Sequence, residues 1–494
     1  MRVVISGATG FLGRALVLRL LRDGHQLTAL ARSPQAAASR LGGDVRVVDV
    51  GNASAVQAAM ADAEAVVNLA GESVAHRWTA KRKAALRASR IDTTKNLIDS
   101  AERAGSSLRV FVSASAIGIY GDTGDDTVDE TAAPADDFLA ALCGEWEAAA
   151  RDAEKLSARV AIMRFGVVLG EGGGALATLL PMFRSGVGGK LGDGRQWFSW
   201  VHLLDACEAI AQALTDDRYH GAMNVTAPTP VTNAEFTRTL GEILSRPTML
   251  TTPKIAVKLA LGEAASAVLS SQRVVPARLT QLGFTFAYPE LDGALREITH
   301  ASPTVTVRPI GGELPAHPYV AARRPTHVLS QRTVIDAPLT EVLPFFAKAE
   351  NLGAITPPDM AFTITTAVPL TMANDLVIDY RIVIGGLPLK WRTIIEEWRP
   401  GEGFTDAQHR GPYRSWFHEH RFRADGNRTI MEDQVWYALP FGPLGRLVNA
   451  LQVRGMLRRI FEYRATRIAL RFGGGHAKQA RATATTLSPS ASVS

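Results

Sequence analysis

The sequence predicts an α/β protein in two parts: a doubly wound parallel sheet with a small substrate lobe, then an α+β domain whose sheet curls around a long C-terminal helix. Three observations carry that expectation. Short apolar runs alternate with helical patterns over the first 300 residues. A glycine-spaced turn joins the first run to the first helix. Past residue 327 the rhythm changes to a succession of strands closed by one long helix.

Taken in order, Arg2–Ser6, Gln26–Arg32, Val45–Asp49, Ala65–Ala70, Leu108–Ser113 and Arg159–Phe165 are short, β-branched or apolar, and bounded by turns. Such runs are expected of strands covered on both faces. Between the first two, Phe11–Asp23 places Leu12, Leu16 and Leu20 on one helical face and closes at Gly24. The first domain is expected over residues 1–299, with 253–299 as a closing module. His300–Thr326 carries Pro303, Pro309, Pro315, Pro318 and Pro325 beside Gly311 and Gly312, and reads as a linker rather than an element.

The second domain is expected over 327–472. Val328–Ile335 is its first strand, and Asp336-Ala337-Pro338 starts a short helix through Phe345 and Phe346. Strands follow at Phe362–Val368, Leu376–Ile384, Leu389–Trp398, Arg414–Phe422 and Thr429–Tyr437, then a helix over Leu444–Arg471. The tail Gly473–Ser494 is Gly, Ala, Thr and Ser with almost no large apolar residue, and is expected to be disordered.

The 494 residues are 46% hydrophobic and 21% charged, which excludes a collagen, a disordered chain or a disulfide scaffold. Cys143 and Cys207 stand far apart, so no cysteine-held zinc or iron–sulfur site is expected, and the thiols fit a reducing compartment. The net charge is +6. The linker and the tail hold four of those charges, and the near-neutral remainder argues against a nucleic-acid partner. The N-terminus lacks the pattern of a secretory signal, and no apolar run approaches the roughly 20 residues of a membrane helix. The expectation is a soluble cytoplasmic protein.

Gly7-Ala8-Thr9-Gly10-Phe11-Leu12-Gly13 follows the first strand and opens the first helix. Gly7 permits the tight turn, Gly10 lets backbone approach a pyrophosphate, and Gly13 lets helix and strand pack closely. The spacing points to a dinucleotide, against a bare tight turn. Where an acid would bond a ribose 2′-hydroxyl, the second strand ends in Arg32 with Ser33 beside it. A guanidinium there suits a 2′-phosphate, so NADP(H) is favoured over NAD(H). The alternative is a solvated arginine at a strand end.

These residues, with Asn68-Leu69-Ala70-Gly71-Glu72, Ser113-Ala114-Ser115 leading to Tyr120-Gly121, and Arg164-Phe165-Gly166-Val167-Val168-Leu169-Gly170, resemble the extended short-chain dehydrogenase/reductase superfamily of the NAD-dependent epimerase type, whose core is a Rossmann fold. Arg77-Trp78, Ser89-Arg90, Trp146-Glu147-Ala148-Ala149 and Gly192-Asp193-Gly194-Arg195-Gln196-Trp197 narrow the resemblance to an atypical epimerase-like subgroup. Its bacterial members are sometimes labelled cell-division inhibitors. Pro253–Ile298 resembles that subgroup's closing module of unknown function. The resemblance implies that Gly7, Thr9, Gly10, Phe11, Leu12 and Gly13 hold the pyrophosphate. Arg32 would meet the 2′-phosphate, and Asn68, Leu69, Ala70 and Gly71 would line the adenosine and ribose side. Ser89 and Arg90 would touch the cofactor from the following helix, although Arg90 reads equally as a helix-surface charge.

The superfamily moves the hydroxyl proton with a Tyr and a Lys four residues on, beside a Ser or Thr. Ser115 supplies the last, with Ser113 as second choice. Cys143 and Glu147 stand where Tyr and Lys are expected, and a carboxylate beside a thiol raises its pKa rather than lowering it. Tyr120 and Glu72 are the substitute acids or bases. Arg195, Trp197, Trp200, His202 and Asp205 lie where such proteins close over substrate. The tryptophans read alternatively as core, while Asp205 is expected to be a helix cap and His202 a structural histidine rather than a base.

In the second domain, Val334-Ile335-Asp336-Ala337-Pro338-Leu339, Phe345-Phe346 and the closing helix resemble the helix-grip fold of START and polyketide-cyclase proteins (the SRPBCC superfamily). Such a sheet leaves an apolar cavity, which Trp391, Trp398, Trp416, Phe417, Trp436 and Tyr437 either line or bury as plain core. The closing helix carries Arg446, Arg454, Arg458, Arg459, Arg464, Arg467 and Arg471 against Glu462, expected to be a solvated face before a membrane-contacting one. The leading expectation is an NADP(H)-binding epimerase-like oxidoreductase fused to a domain for a small apolar or lipid-like ligand. Two alternatives stay open: a non-catalytic NADP(H)-binding or sensing protein, and a cyclase-like second domain with the first as scaffold.

Overall fold

The computed structural model describes residues 1–299, 305–312 and 314–473. They form two compact units divided near residue 301, with Gln35–Asp44 grouped with the second.

The first unit is built on a seven-stranded, wholly parallel sheet. Its strand order is Gly221–Val225, Arg159–Phe165, Val110–Ala116, Ala65–Asn68, Arg2–Ser6, Gln26–Ala31, Arg46–Asp49. The strand order therefore reverses beside Arg2–Ser6, and α/β sheets bind ligands in the crevice beyond the strand ends at such a point. The strands are apolar almost throughout because helices cover both faces. On one face Val4, Val66, Phe111 and Ile162 pack with Met60, Leu97, Ala101 and Ala150. Beyond the sheet, short strand pairs build the smaller lobe. Val167–Leu169 pairs with Trp200–His202, and Gly189–Leu191 with Leu250–Thr252. The closing module sends Leu291, Leu295 and Ile298 into the core of that lobe, against Leu169, Phe183 and Trp200.

The second unit is an eight-stranded antiparallel sheet ordered Thr306–Pro309, His327–Ile335, Arg428–Ala438, Ser415–Asp425, Gly403–Arg410, Leu387–Arg399, Val377–Ile384, Thr363–Ile364. Two of these strands correct the sequence reading. Thr306–Pro309 lies in the stretch read as a linker. It is an edge strand, where a proline costs no ladder bond. The same stretch forms the helix Pro318–Arg323, whose Tyr319 and Val320 pack against Val328, Ala407, Phe417 and Trp436. Gly403–Arg410 is the other, and its buried Thr405 and Gln408 obscured the apolar alternation.

The closing helix runs as three abutting pieces: Gly442–Val448, a π-helical turn at Asn449–Val453, and Arg454–Phe472. Leu457 and Phe461 pack with Leu329, Val435 and Tyr437, while Ile468 and Phe472 pack with Ile335, Phe422 and Met431. Its arginines from Arg458 onward are not a solvated face, against the expectation, whereas Arg454 is exposed. Arg464 and Arg467 are buried, and Arg459 makes two hydrogen bonds to Asp359. The tail expected to be disordered lies, from residue 474, outside the described residues. Among the described residues no helix is long and apolar enough to cross a membrane.

Candidate functional site

The first strand ends at Ser6, and Gly7 turns the chain at φ +79°. A Cβ there would stand 2.7 Å from the Leu69 carbonyl carbon and 2.8 Å from the Ala70 nitrogen, so the turn lies directly on the end of the neighbouring strand. Leu69 N–H donates to the Ser6 carbonyl, fixing that contact. Gly10 N–H donates to the Gly7 carbonyl at 3.0 Å, and Gly10 then caps the helix Phe11–Arg22 without a side-chain acceptor. The first-turn N–H groups thus keep the positive end of the helix dipole free of a competing side chain. A Cβ on Gly13 would collide with the backbone of Gly7 and Ala8, which is how helix and loop approach so closely. Thr9 and Leu12 are half-buried, Gly10 is exposed, and the Phe11 ring covers Gly170, Gly173 and Gly174. Arg32 is exposed one residue past the second strand.

The fourth strand's end is cross-braced. Asn68 Nδ2 donates to Thr94 Oγ1 at 2.8 Å, and Trp146 Nε1 donates to the same oxygen. Ser89 and Arg90 lie in a π-helical turn, Ala88–Asp92, a distortion common at functional sites. Ser89 Oγ accepts from Glu72 N–H at 3.0 Å. Arg90 Nη2 donates to the Glu72 carbonyl at 2.9 Å, and its guanidinium lies against Gly71 and 5.2 Å from the Trp146 ring centroid. Arg90 is therefore not a free surface charge. Burial holds it below the usual guanidinium range. The structure brings the glycine turn, Leu69, Ala70 and the Ser89–Arg90 turn around one strand end.

The positions expected to carry proton transfer form a largely buried network instead, reached from the surface by Arg151 at Glu147. Arg164 donates two bonds to Glu147, at 2.8 and 2.9 Å, and a third from Nη1 to Tyr120 Oη at 2.8 Å. Tyr120 donates to Asn224 Oδ1, and Ser115 Oγ donates to Glu147 Oε1 at 2.8 Å. Glu147 is 2% exposed. Burial opposes the Arg164 charge, but Glu147 outweighs it and holds the guanidinium above its ordinary range. Burial raises the Tyr120 phenol, and its hydroxyl is committed on both sides. Burial first and Glu147 second push the Cys143 thiol up to about 11. Cys143 is accordingly expected to stay unmodified by iodoacetamide at pH 8 in the native chain, read by peptide mass spectrometry. Rapid native alkylation would contradict this environment. Glu72 is tied to Arg82 at 2.9 Å. Ser113 Oγ bonds the Ala114 carbonyl at 3.2 Å.

Of the lobe residues, His202 caps the helix Leu203–Thr215 through Nδ1 and bonds Glu297 through Nε2 at 3.0 Å. It is structural, as expected. Asp205 is not the cap, which corrects that expectation: it accepts from the N–H groups of Ala287 and Tyr288 and anchors the closing module. Trp200 is fully buried. Trp197 is half-buried, donates to Asp125, and stacks under Arg273 at 4.2 Å.

The second unit encloses a cavity of about 190 Å³, lined among others by Tyr380, Trp391, Phe404, Tyr413, Trp416 and Phe461. Of the six aromatics singled out from the sequence, Trp391 and Trp416 reach it. Phe417 and Trp436 pack with the helix Pro318–Arg323, because alternate strand residues face opposite ways. Sequence reasoning missed the Glu147–Arg164 pair, although both residues stand in motifs it had noted. It also missed polar groups on the cavity wall: Asp406, His418, His420 and Arg464.

Residues 3–226 match the model of the NAD dependent epimerase/dehydratase family, and residues 252–298 match a domain of unknown function. An Arabidopsis thaliana chloroplastic homologue of epimerase family protein SDR39U1 is 42% identical over 301 residues, which are 60% of this chain and 86% of that protein. An epimerase family protein of Mycobacterium bovis is 39% identical over 295 residues, 59% of this chain and 96% of its own. The crystal structure of human SDR39U1 with NADPH is 33% identical, covers 60% of this chain and 99% of its own, and superposes with a TM-score of 0.54. The Thermus thermophilus UDP-glucose 4-epimerase complex with NAD, 20% identical and covering 61% of this chain and 99% of its own, shares the fold at a TM-score of 0.51.

Proposed function

We propose, because this chain belongs to the NAD dependent epimerase/dehydratase family, that its first unit binds NADP(H) as an epimerase-like oxidoreductase and that its second unit holds a small apolar or lipid-like ligand. The first role falls to residues 1–299 and the second to a START-like helix-grip domain over 327–472. The single observation behind the nucleotide reading is the Gly7–Gly13 loop. At Gly7 and Gly13 a side chain would strike backbone, and at Gly10, the helix cap, it would press on the Gly7 carbonyl oxygen at 3.1 Å. Gly7, Thr9, Gly10, Phe11, Leu12 and Gly13 would hold the pyrophosphate. Asn68, Leu69, Ala70 and Gly71 would flank the adenosine and ribose, with Ser89 and Arg90 behind them. Arg32 would pair with the 2′-phosphate, consistent with the NADPH in the human relative's structure.

When bound, the nicotinamide supplies or takes a hydride. Ser115 is the chain's group for orienting a substrate oxygen. A serine hydroxyl has one proton to donate, and Ser115 gives it to Glu147. Polarising a carbonyl therefore requires that proton to leave Glu147. That engagement favours a second reading, in which the bound nucleotide is held or sensed without redox chemistry.

Calorimetric titration with NADPH and NADH, beside NADPH oxidation against a carbonyl panel, separates the two. Binding with turnover supports the first reading, and binding without turnover the second. Turnover unchanged in Ser115→Ala would remove that residue from the chemistry. Arg32→Ala is expected to weaken NADPH by about 10- to 100-fold, the worth of about 1.5–3 kcal/mol of charged hydrogen bonding. NADH binding should stay where it was. Equal loss for both nucleotides would detach Arg32 from the 2′-phosphate.

A further inference from the structure

The cavity of the second unit carries a polar cluster that the nucleotide reading does not use. His418 and His420 stand two residues apart on Ser415–Asp425, so both rings project from one face of that strand, with centroids 3.7 Å apart. Asp406 stands opposite His418 on the neighbouring strand. Its Oδ2 lies 3.7 Å from His418 Nδ1 and 3.4 Å from His420 Nε2, and the three donor atoms fall within 4.8 Å of one another. Bonds of about 2.1 Å in tetrahedral geometry set donor atoms roughly 3.4 Å apart, close to this spacing.

One carboxylate stands on the far side of both rings, and it hydrogen-bonds His418. His418 Nε2 lies 3.1 Å from Asp433 Oδ1, and His420 Nδ1 lies 2.7 Å from the same oxygen. Asp433 is wholly buried and does not line the cavity, whereas Asp406, His418 and His420 do. At His418 this is the arrangement in which an outer carboxylate fixes a histidine tautomer and turns the opposite nitrogen towards a metal. The Arg464 guanidinium lies 4.0 Å from Asp433, on the same cavity wall as the two rings.

We propose that Asp406, His418 and His420 bind one divalent transition-metal ion of the zinc or iron(II) type. Three protein donors leave coordination positions open towards the apolar cavity, for an apolar ligand carrying a carbonyl, hydroxyl or carboxylate oxygen. Asp433 is a positioning residue. The proposal is independent of nucleotide binding by the first unit, and its test does not involve nucleotide.

The tag-free full chain, treated with chelator, would be titrated with Co²⁺. One equivalent is expected to give visible ligand-field bands that Zn²⁺ bleaches. Asp406→Asn and His420→Gln should abolish the bands, and Asp433→Asn should weaken Co²⁺ by about 10- to 100-fold. His76→Gln, at an exposed histidine, should change nothing. The wild-type spectrum decides even where a variant fails to fold: no saturable bands, or bands that Zn²⁺ leaves intact, overturn the site. So do bands that persist in a folded His420→Gln chain, or that vanish in His76→Gln.

Discussion

Replacing Glu147 with alanine is expected to destabilise the first unit by about 3–5 kcal/mol, the cost of leaving a buried guanidinium without its partner. Glu147 accepts two bonds from Arg164, one from Ser115 and a longer one from the half-exposed Arg151, and both it and Arg164 are almost wholly buried. Truncation strands Arg164 beside Tyr120 and Asn224. By differential scanning calorimetry the loss should appear as a melting temperature lower by roughly 10 °C. Removing both charges together, Glu147→Met with Arg164→Met, should recover much of it, since a buried pair is often replaceable by apolar volume. A Glu147→Ala chain melting within about 1 kcal/mol of the parent would show that the pair is not desolvated in solution.

The same network bears on chemistry. A lysine at position 147 and a tyrosine at 143 would place a lowered phenol next to Ser115. The chain instead places a high-pKa thiol and a locked carboxylate there. Neither position 143 nor position 147 thus offers the relay that the superfamily uses. Ser115→Ala is therefore the informative variant, not changes at Tyr120, whose hydroxyl closes the network on Asn224.

What could be read from the sequence follows the physics of each segment. The parallel strands were legible because covering both faces makes them apolar runs, as in Val3, Val4 and Ile5. The glycine loop was legible because its spacing answers a steric demand made within seven residues. Gly403–Arg410 was not, since buried polar residues stand on both its faces, Thr405 on one and Gln408 on the other, and losing that strand hid Asp406. The helix Pro318–Arg323 was masked by prolines that a first helical turn tolerates. The cap expected at Asp205 falls to His202 because a cap is decided by which side chain reaches an amide. The anchor that Asp205 provides lies more than 80 residues away, at Ala287 and Tyr288. Glu147 and Arg164 were visible as residues but not as partners, for pairing across 17 positions depends on the helix Phe138–Arg151 lying on the strand Arg159–Phe165.

Gly7→Ala is expected to abolish measurable NADPH binding, a loss on the order of 100-fold or more, at a stability cost of only about 1–3 kcal/mol. Two effects act at once. The residue sits at φ +79°, where an L side chain is strained, and its Cβ would meet the Leu69 carbonyl carbon at 2.7 Å. Neither neighbour is a flexible side chain that can swing aside, so the loop itself must move, and the amide groups of the turn move with it. Gly24→Ala separates the two effects. Gly24 has nearly the same backbone conformation, φ +74°, but nothing within 4 Å of its would-be Cβ. It should show the strain alone, a modest fall in melting temperature with NADPH affinity unchanged. If Gly7→Ala binds NADPH as the parent does, the main-chain cradle is not where the phosphates lie. If both variants lose affinity alike, the loss reflects backbone strain transmitted through the helix Phe11–Arg22 rather than displacement of the loop.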